Sequence, residues 1–290
     1  MTALALGLVL ASAACHVTWN YLAKASRDVF AFTWLLSIVA TLVYLPFAAL
    51  SLWLYPPPPT VFVLVGVSVV LNLAYFRLLS ASYARADLSI VYPIARGTGL
   101  VLIPVVAAIF LREHMSSQGI GSIAVVVVGL FVVHTRGFGW PGLSGLRRSW
   151  GEPGSRLALL AGLTIAAYSV WDKNAVGQIS PIVLDTSIFV AQAVFIAPFM
   201  LTRGRQMAFA EFRERPAAVI AAGVLAPLAY LLVLQALTFS RVAYVAPARE
   251  IGIVFGTLLG VRSLHEPFPI NRLVGAGFIV AGVFGLALAP

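Results

Sequence analysis

The sequence is poor in what a water-soluble surface needs. Only 10% of its 290 residues are charged and 61% are apolar, whereas an average soluble domain carries roughly 25% charge. So few charges cannot cover a globule of this size, which excludes a soluble fold. Cysteine occurs once, as Cys15, excluding an internal disulfide and any cluster of thiolate ligands. Lysine occurs twice, as Lys24 and Lys173, and neither is followed by Ser or Thr after a glycine-rich loop. Without a phosphate-cradling loop, ATP-driven pumping is not expected. His16, His114, His134 and His265 are scattered with no metal-ligand spacing. Neither a metal nor another cofactor is expected.

Acidic residues are scarce as well, ten against nineteen Lys and Arg, for a net charge of +9. In a soluble chain this excess would point to nucleic acid. Here the arginines lie between apolar runs and form no basic face, which fits loops beside anionic lipid. The expected partners are the lipid bilayer and a small metabolite, with no nucleic acid.

What the chain does have is apolar runs of about 20 residues, the length that crosses a bilayer, and a mean hydropathy of +0.98. The stretch "LASAACHVTWNYL", Leu10 to Leu22, resembles a lipoprotein cleavage site ending in Cys15. Met1–Ala14 lacks a basic leader, however, and the apolar pattern runs on to Leu22, so a first membrane helix is the better reading. Ten spans are expected, at roughly 2–23, 30–55, 60–82, 87–111 and 117–135, then roughly 157–177, 181–201, 216–238, 242–262 and 269–289. The joints are polar or rich in Pro and Gly, among them "PPPPT" and "RGRQMAFAEFRERP".

The two sets of five repeat one another. "ACHVTWN" (14–20) lies over "AAYSVWD" (166–172), pairing His16 with Tyr168, Trp19 with Trp171 and Asn20 with Asp172. "LAYFRLLSA" lies over "LAYLLVLQA", Pro93 over Pro247 and Glu113 over Glu266. Five is odd, so the second copy enters the membrane from the opposite side, the inverted-repeat layout of secondary transporters. The expected fold is an all-α integral membrane protein of ten transmembrane helices, two inverted five-helix repeats around a central cavity. The repeats are expected at 1–135 and 157–290, with a linker at 136–156.

Ten spans in two inverted fives, with "HVTWNYLAKASRD" at the end of the first, resemble EamA-type members of the drug/metabolite transporter superfamily. The closing segments "LREHMSSQGIGSIAVVVVGLFVV" and "LHEPFPINRLVGAGFIVAGVFGLAL" carry the resemblance furthest. It covers nearly the whole chain apart from the linker. The resemblance implies a transporter with a central cavity, usually an exporter of amino acids, nucleosides or other small metabolites. Many relatives carry positive charge at the N-terminus and between spans two and three. Here Met1–Leu10 has none, and the second joint is "PPPPT".

Orientation is therefore read from the local charges. Assigning joints alternately puts fourteen Lys and Arg on one side and only Arg112, Lys173 and Arg241 on the other. The positive-inside rule makes the rich side cytoplasmic and puts both termini outside; both inside is the alternative. The expected location is a plasma membrane of the bacterial inner-membrane type, crossed many times by a monomer or homodimer.

Ionisable groups inside spans cost roughly 2.5–3.5 kcal/mol each at the centre, which marks them as functional candidates. Arg96 lies about nine residues into its span, about 14 Å deep in a core of about 30 Å. Tyr92 is one turn earlier on the same face, and Arg249 and Glu250 reach similar depth from the opposite side. The arginines suit a carboxylate or phosphate, although Glu250 could instead neutralise one of them as a structural pair. Ser12, His16, Trp19 and Asn20 share one helix face, as do Thr164, Tyr168, Trp171 and Asp172. The candidate substrate-binding residues are His16, Asn20, Tyr75, Tyr92, Arg96, Tyr168, Trp171, Tyr230 and Arg249. Asn72 and Gln235 are further lining candidates, and Asp172, Glu250 and His16 are candidates for proton coupling.

The expected function is secondary export of a small anionic or zwitterionic metabolite by alternating access, with no enzymatic activity. The alternative is a membrane-embedded enzyme or flippase acting on lipid-linked substrates. A channel would favour rings of like charge, which the single, unlike midplane charges do not form. A C-terminal reporter active only in the cytoplasm is expected to stay silent in cells; a signal would reverse the orientation.

Overall fold

The helices start where caps and prolines allow. Thr2 and Asp28 precede the first two apolar runs and accept hydrogen bonds from the N–H groups of Ala5 (3.2 Å) and Ala31 (2.7 Å). These bonds satisfy donors that a helix start leaves open. Pro153, Pro181 and Pro216 each stand in a first turn, where a missing N–H removes no helical bond.

The computed structural model describes residues 1–86, 88–134, 152–264 and 270–290, with 88–90 and 258–264 as backbone alone. Every regular element among them is a helix. The first five are α1 (Ala3–Lys24), α2 (Val29–Leu54), α3 (Val61–Tyr83), α4 (Leu88–Phe110) and α5 (Ser117–His134). After the linker come α6 (Pro153–Ala175), α7 (Pro181–Thr202), α8 (Arg205–Glu214) and α9 (Pro216–Phe239). The chain closes with α10 (Val242–Ala248), α11 (Ile251–Leu264) and α12 (Ile270–Leu288).

Eight of these, α1–α5, α7, α9 and α12, contain a stretch long and apolar enough to cross a membrane. The other two expected spans depart for different reasons. α6 is long enough but carries Arg156, Asp172 and Lys173. It buries Ala158, Ala161, Ile165, Tyr168 and Asp172 against protein, where polar residues are tolerated at membrane depth. The ninth span is broken between Ala248 and Ile251. A helix also forms where only a joint was expected: α8 buries Ala208 and Glu211 and turns Met207, Phe209 and Phe212 outward. That is the pattern of a helix lying along an interface. The helix expected from about residue 157 begins at Pro153.

Successive helix ends alternate between two faces. On one, the amino group of Met1 reaches the carbonyls of Leu286 (3.3 Å) and Ala289 (3.2 Å), and Arg241 reaches that of Pro290 (2.9 Å). On the other, the Arg27 backbone N–H donates to Glu211 (3.0 Å) and its guanidinium pairs with Glu214. There also Arg215 reaches the Leu22 carbonyl (3.4 Å) and Ser82 that of Gly154 (2.6 Å). The terminal face and the arginine-bearing face are thus separated as the alternation of joints requires.

α5 packs on α12, α6 on both α3 and α4, α1 on α9, and α2 on α7. Outside this bundle, Leu42, Phe47, Trp53, Phe110 and Phe284 are exposed, as lipid-facing side chains should be. Lipid tails are as apolar as leucine, so helices associate by close packing rather than by hydrophobic burial. The glycine-rich α5 and α12 illustrate this. A Cβ on Gly129 would stand 2.8 Å from the Gly275 carbonyl, and one on Gly275 would stand 2.6 Å from the backbone N of Val133.

Gly129→Ala and Gly275→Ala are therefore expected to lower the thermal midpoint in detergent, by the equivalent of about 1–3 kcal/mol. Gly121→Ala and Gly277→Ala, where an added Cβ meets nothing within 4 Å, should leave it within about 0.5 kcal/mol.

Candidate functional site

Proline opens the helix that carries the central charges. Pro247 lacks the N–H that would continue the α-helical ladder, and the backbone after it tightens to three-residue spacing. Glu250 N–H donates to the Pro247 carbonyl (3.1 Å), Gly252 to Arg249 (3.1 Å) and Ile253 to Glu250 (2.9 Å). Arg249 and Glu250 sit on this joint between α10 and α11. Irregular backbone at membrane depth is tolerated where it lines a cavity.

Across the joint stands Arg96 of α4, whose Nη1 lies 3.7 Å from Glu250 Oε1; the two side chains are 17% and 3% exposed. Arg96 follows Pro93 by three residues, as Glu250 follows Pro247. The other carboxylate oxygen, Oε2, meets no donor among the described residues. Arg96 also lies 5.8 Å from the centroid of Tyr92, whose ring stacks on His134 at 5.0 Å. Arg249 lies over the Tyr230 ring at 5.6 Å, a favourable seat for a cation. Arg96, Tyr168, Ser169, Arg249 and Glu250 line a cavity of about 10 Å³ with an apolar wall from α4 and α6, room for about one water.

A second cluster adjoins it. Asp172, fully buried, accepts hydrogen bonds from the Ser68 hydroxyl and from Tyr230 Oη (2.5 Å). Asn72 donates to the Ser68 carbonyl (2.9 Å), and Trp171 Nε1 to that of Leu64 (2.9 Å). Tyr75 packs on Tyr168 at 5.6 Å. Tyr230 therefore belongs to both clusters, with its hydroxyl on Asp172 and its ring under Arg249.

Not every candidate gathers here. His16 is half-buried, edge-on to Trp19 at 5.4 Å, and within electrostatic range of Arg96 and Arg249. Asn20 is exposed, and its amide turns back on the His16 carbonyl of its own helix (2.7 Å). Gln235 is exposed too. Ser12 bonds the Ala229 carbonyl (2.6 Å) and ties α1 to α9. A Cβ on Gly252 would stand in ordinary contact with Ala13 and Val17 at 3.8 Å, while one on Gly256 would meet nothing within 4 Å. Glu113 accepts from the N–H groups of Val242 (2.9 Å) and Ala243 (3.0 Å) and so caps α10. Its repeat counterpart, Glu266, lies outside the described residues.

Sequence reasoning missed Ser68, Ser169 and the buried Asp185. Serines give no signal in an apolar run, because their hydroxyls can bond their own helix. Asp185 did give one, as an acid inside an apolar segment, by the same rule that selected Arg96.

This architecture, helical and crossing the membrane many times around buried charge, is that of a membrane transporter. The model of the EamA-like transporter family matches residues 153–288, and that of the Small Multidrug Resistance protein matches residues 58–128. Together they put the chain in the drug/metabolite transporter superfamily, as an EamA-type transporter. A protein of solved crystal structure has the same fold, with a TM-score of 0.76 at 17% identity over 99% of this chain and 98% of its own. No curated protein matches in sequence.

Tyr230→Phe and Asp172→Ala, measured singly and together, are expected to show a coupling of about 0.6–1.7 kcal/mol in unfolding from lipid micelles. Additive effects would mean that the hydrogen bond between them contributes nothing to stability.

Proposed function

We propose that the chain is a secondary transporter moving a small anionic or zwitterionic metabolite by alternating access between two inverted five-helix halves. The observation that carries this reading is the charge balance of the central cavity. Two guanidinium groups meet one carboxylate there, and Arg249 has no carboxylate at ion-pair distance among the described residues. A substrate carboxylate or phosphate complements the surplus positive charge, with Arg able to hold it by two parallel bonds. Tyr168, Tyr92 and Tyr230 supply aromatic walls, with His16, Tyr75 and Trp171 beyond them.

The inverted halves are supported by the way helix contacts interchange. Let α1 to α5 correspond to α6, α7, α9, α10–α11 and α12. The α1–α9 contact then becomes α6–α3, and α1 against α10–α11 becomes α6 against α4, while α2–α7 and α5–α12 map onto themselves. On this reading residues 1–135 and 157–290 are the two halves and 136–156 links them. A cavity that holds one water is too small for a metabolite, and both faces are latched, by Arg27 with Glu211 and Glu214 and by Glu113 on α10. The conformation reads as closed, with opening of either latch giving access from that side.

The arginine-bearing face is assigned to the cytoplasm, in a plasma membrane of the bacterial inner-membrane type. Export is the assigned direction. Glu250, Asp172 and His16 are the groups assigned to proton coupling within this reading.

A thermal-shift screen of metabolites would find a substrate for liposome assays. Saturable flux that supports counterflow is expected; chemical turnover would mean an enzyme, and unsaturating ion current a channel. Arg96→Ala should reduce flux at least about tenfold, the equivalent of about 1.4 kcal/mol of lost binding, at an unchanged membrane level. Undiminished flux in that variant would remove Arg96 from the substrate path.

A further inference from the structure

Asp185 stands in the second turn of α7 and is fully buried. Neither oxygen of its carboxyl meets a donor among the described residues, and neither does the hydroxyl of the adjacent, buried Thr186. Asp172, just across the turn from α6 to α7, is within electrostatic range. Two acidic side chains thus share one buried region, one supplied with donors by Ser68 and Tyr230 and the other with none among the described residues.

Among the described residues no positive charge is directed at Asp185. From α2 comes Tyr44, whose hydroxyl donates to the Val224 carbonyl (2.8 Å). From α9 comes Tyr230, and from α3 come Ser68 and Asn72, all engaged around Asp172. The α3 cation, Arg77, lies over Phe195, ten residues or about 15 Å farther along α7. Beside Asp172 on α6, Lys173 gives its ammonium to the Leu237 carbonyl (2.5 Å). α8, with Glu211, begins beyond Thr202, about 25 Å along α7 from Asp185.

A bare carboxylate buried without a donor is costly by several kcal/mol, and a second carboxylate in the same region adds repulsion. The region therefore has use for one small cation. A hard metal cation takes about six or more oxygen ligands, far more than the free oxygens of Asp185 and Thr186 supply. A proton needs one oxygen.

We propose that Asp185, with Asp172 beside it, is a proton-binding site that couples proton movement to transport. Loading forms an O–H bond on an Asp185 carboxyl oxygen, with the proton taken from water of the open face; unloading returns it. Tyr230 is the link to the cavity. A substrate anion that draws Arg249 off the Tyr230 ring alters the field at Asp172, and through it the hold of Asp185 on its proton. The coupling rests on the transport reading above, whereas the proton site does not.

The test is infrared difference spectroscopy of the full-length protein in phosphatidylcholine vesicles, stepped from acid to alkaline pH with no substrate present. A carboxylic-acid C=O band is expected to titrate. Asp185→Asn, the neutral isostere, should abolish it, Asp185→Glu should shift it, and Asp172→Asn should move its midpoint. A band unchanged in Asp185→Asn, or no titrating band in the wild type, overturns the proposal. A band that responds to sodium replacing choline at constant pH overturns the proton in favour of a metal cation. Counterflow of a screened metabolite decides the transport reading separately. If the band is present and counterflow is absent, that reading falls and the proton site stands. With both present, proton-driven accumulation should drop at least tenfold in Asp185→Asn while counterflow persists; retained accumulation overturns the coupling.

Discussion

Inside a bilayer a carboxylate has only protein to satisfy it, and Asp172 shows how much follows from meeting that need. Its two oxygens draw in Ser68 from α3 and Tyr230 from α9, so one side chain on α6 sets the rotation of two neighbouring helices. Tyr230 in turn presents its ring to Arg249, which seats the joint between α10 and α11 against the same cluster. The Arg96–Glu250 pair answers the same need from the α4 side. Polar atoms here do more than tolerate the membrane. Their requirement for partners decides which helices lie together and in what register.

Packing supplies what the polar contacts cannot. Little hydrophobic force acts between helices already in lipid, so the bundle depends on surfaces that approach closely. Gly129 and Gly275 bring α5 and α12 almost backbone to backbone, and Gly162 does the same for α6 against α4. A rigid seam beside a broken helix is a useful combination. The seam holds two elements in constant relation, while the interrupted segment at Pro247 leaves a place where a few dihedrals can change. The contacts at the two faces, Arg27 with Glu211 and Glu214 and Glu113 on α10, are by contrast small sets of exchangeable polar bonds, each of modest net worth.

How far the sequence could be read follows from the range of each signal. Hydropathy and cap residues act within a turn or two, so the apolar segments and their starts at Asp28, Pro181 and Pro216 were visible in one dimension. The distribution of arginines among the joints was equally plain. α8 was overlooked because ten residues of mixed polarity look like a loop until Ala208 and Glu211 are seen to be buried. The sixth span was recognisable by length and by its likeness to the first, although its charges make it the least apolar of the long helices.

The candidate site divides along the same line. Position within a span is a matter of counting residues from its end, and the sequence by itself determined that Arg96 lies inside the fourth apolar run and Arg249 and Glu250 inside the ninth. It also determined that Asp172 and Tyr168 share a helix face. Only the tertiary structure decided that Glu250 takes the distant Arg96 rather than its neighbour Arg249, that Asn20 turns outward, and that Glu113 caps α10. Each of these depends on the rotation of one helix against another far away in the chain. That rotation is set by the packing of glycines and the pairing of polar groups between segments, and no periodicity within a segment carries it.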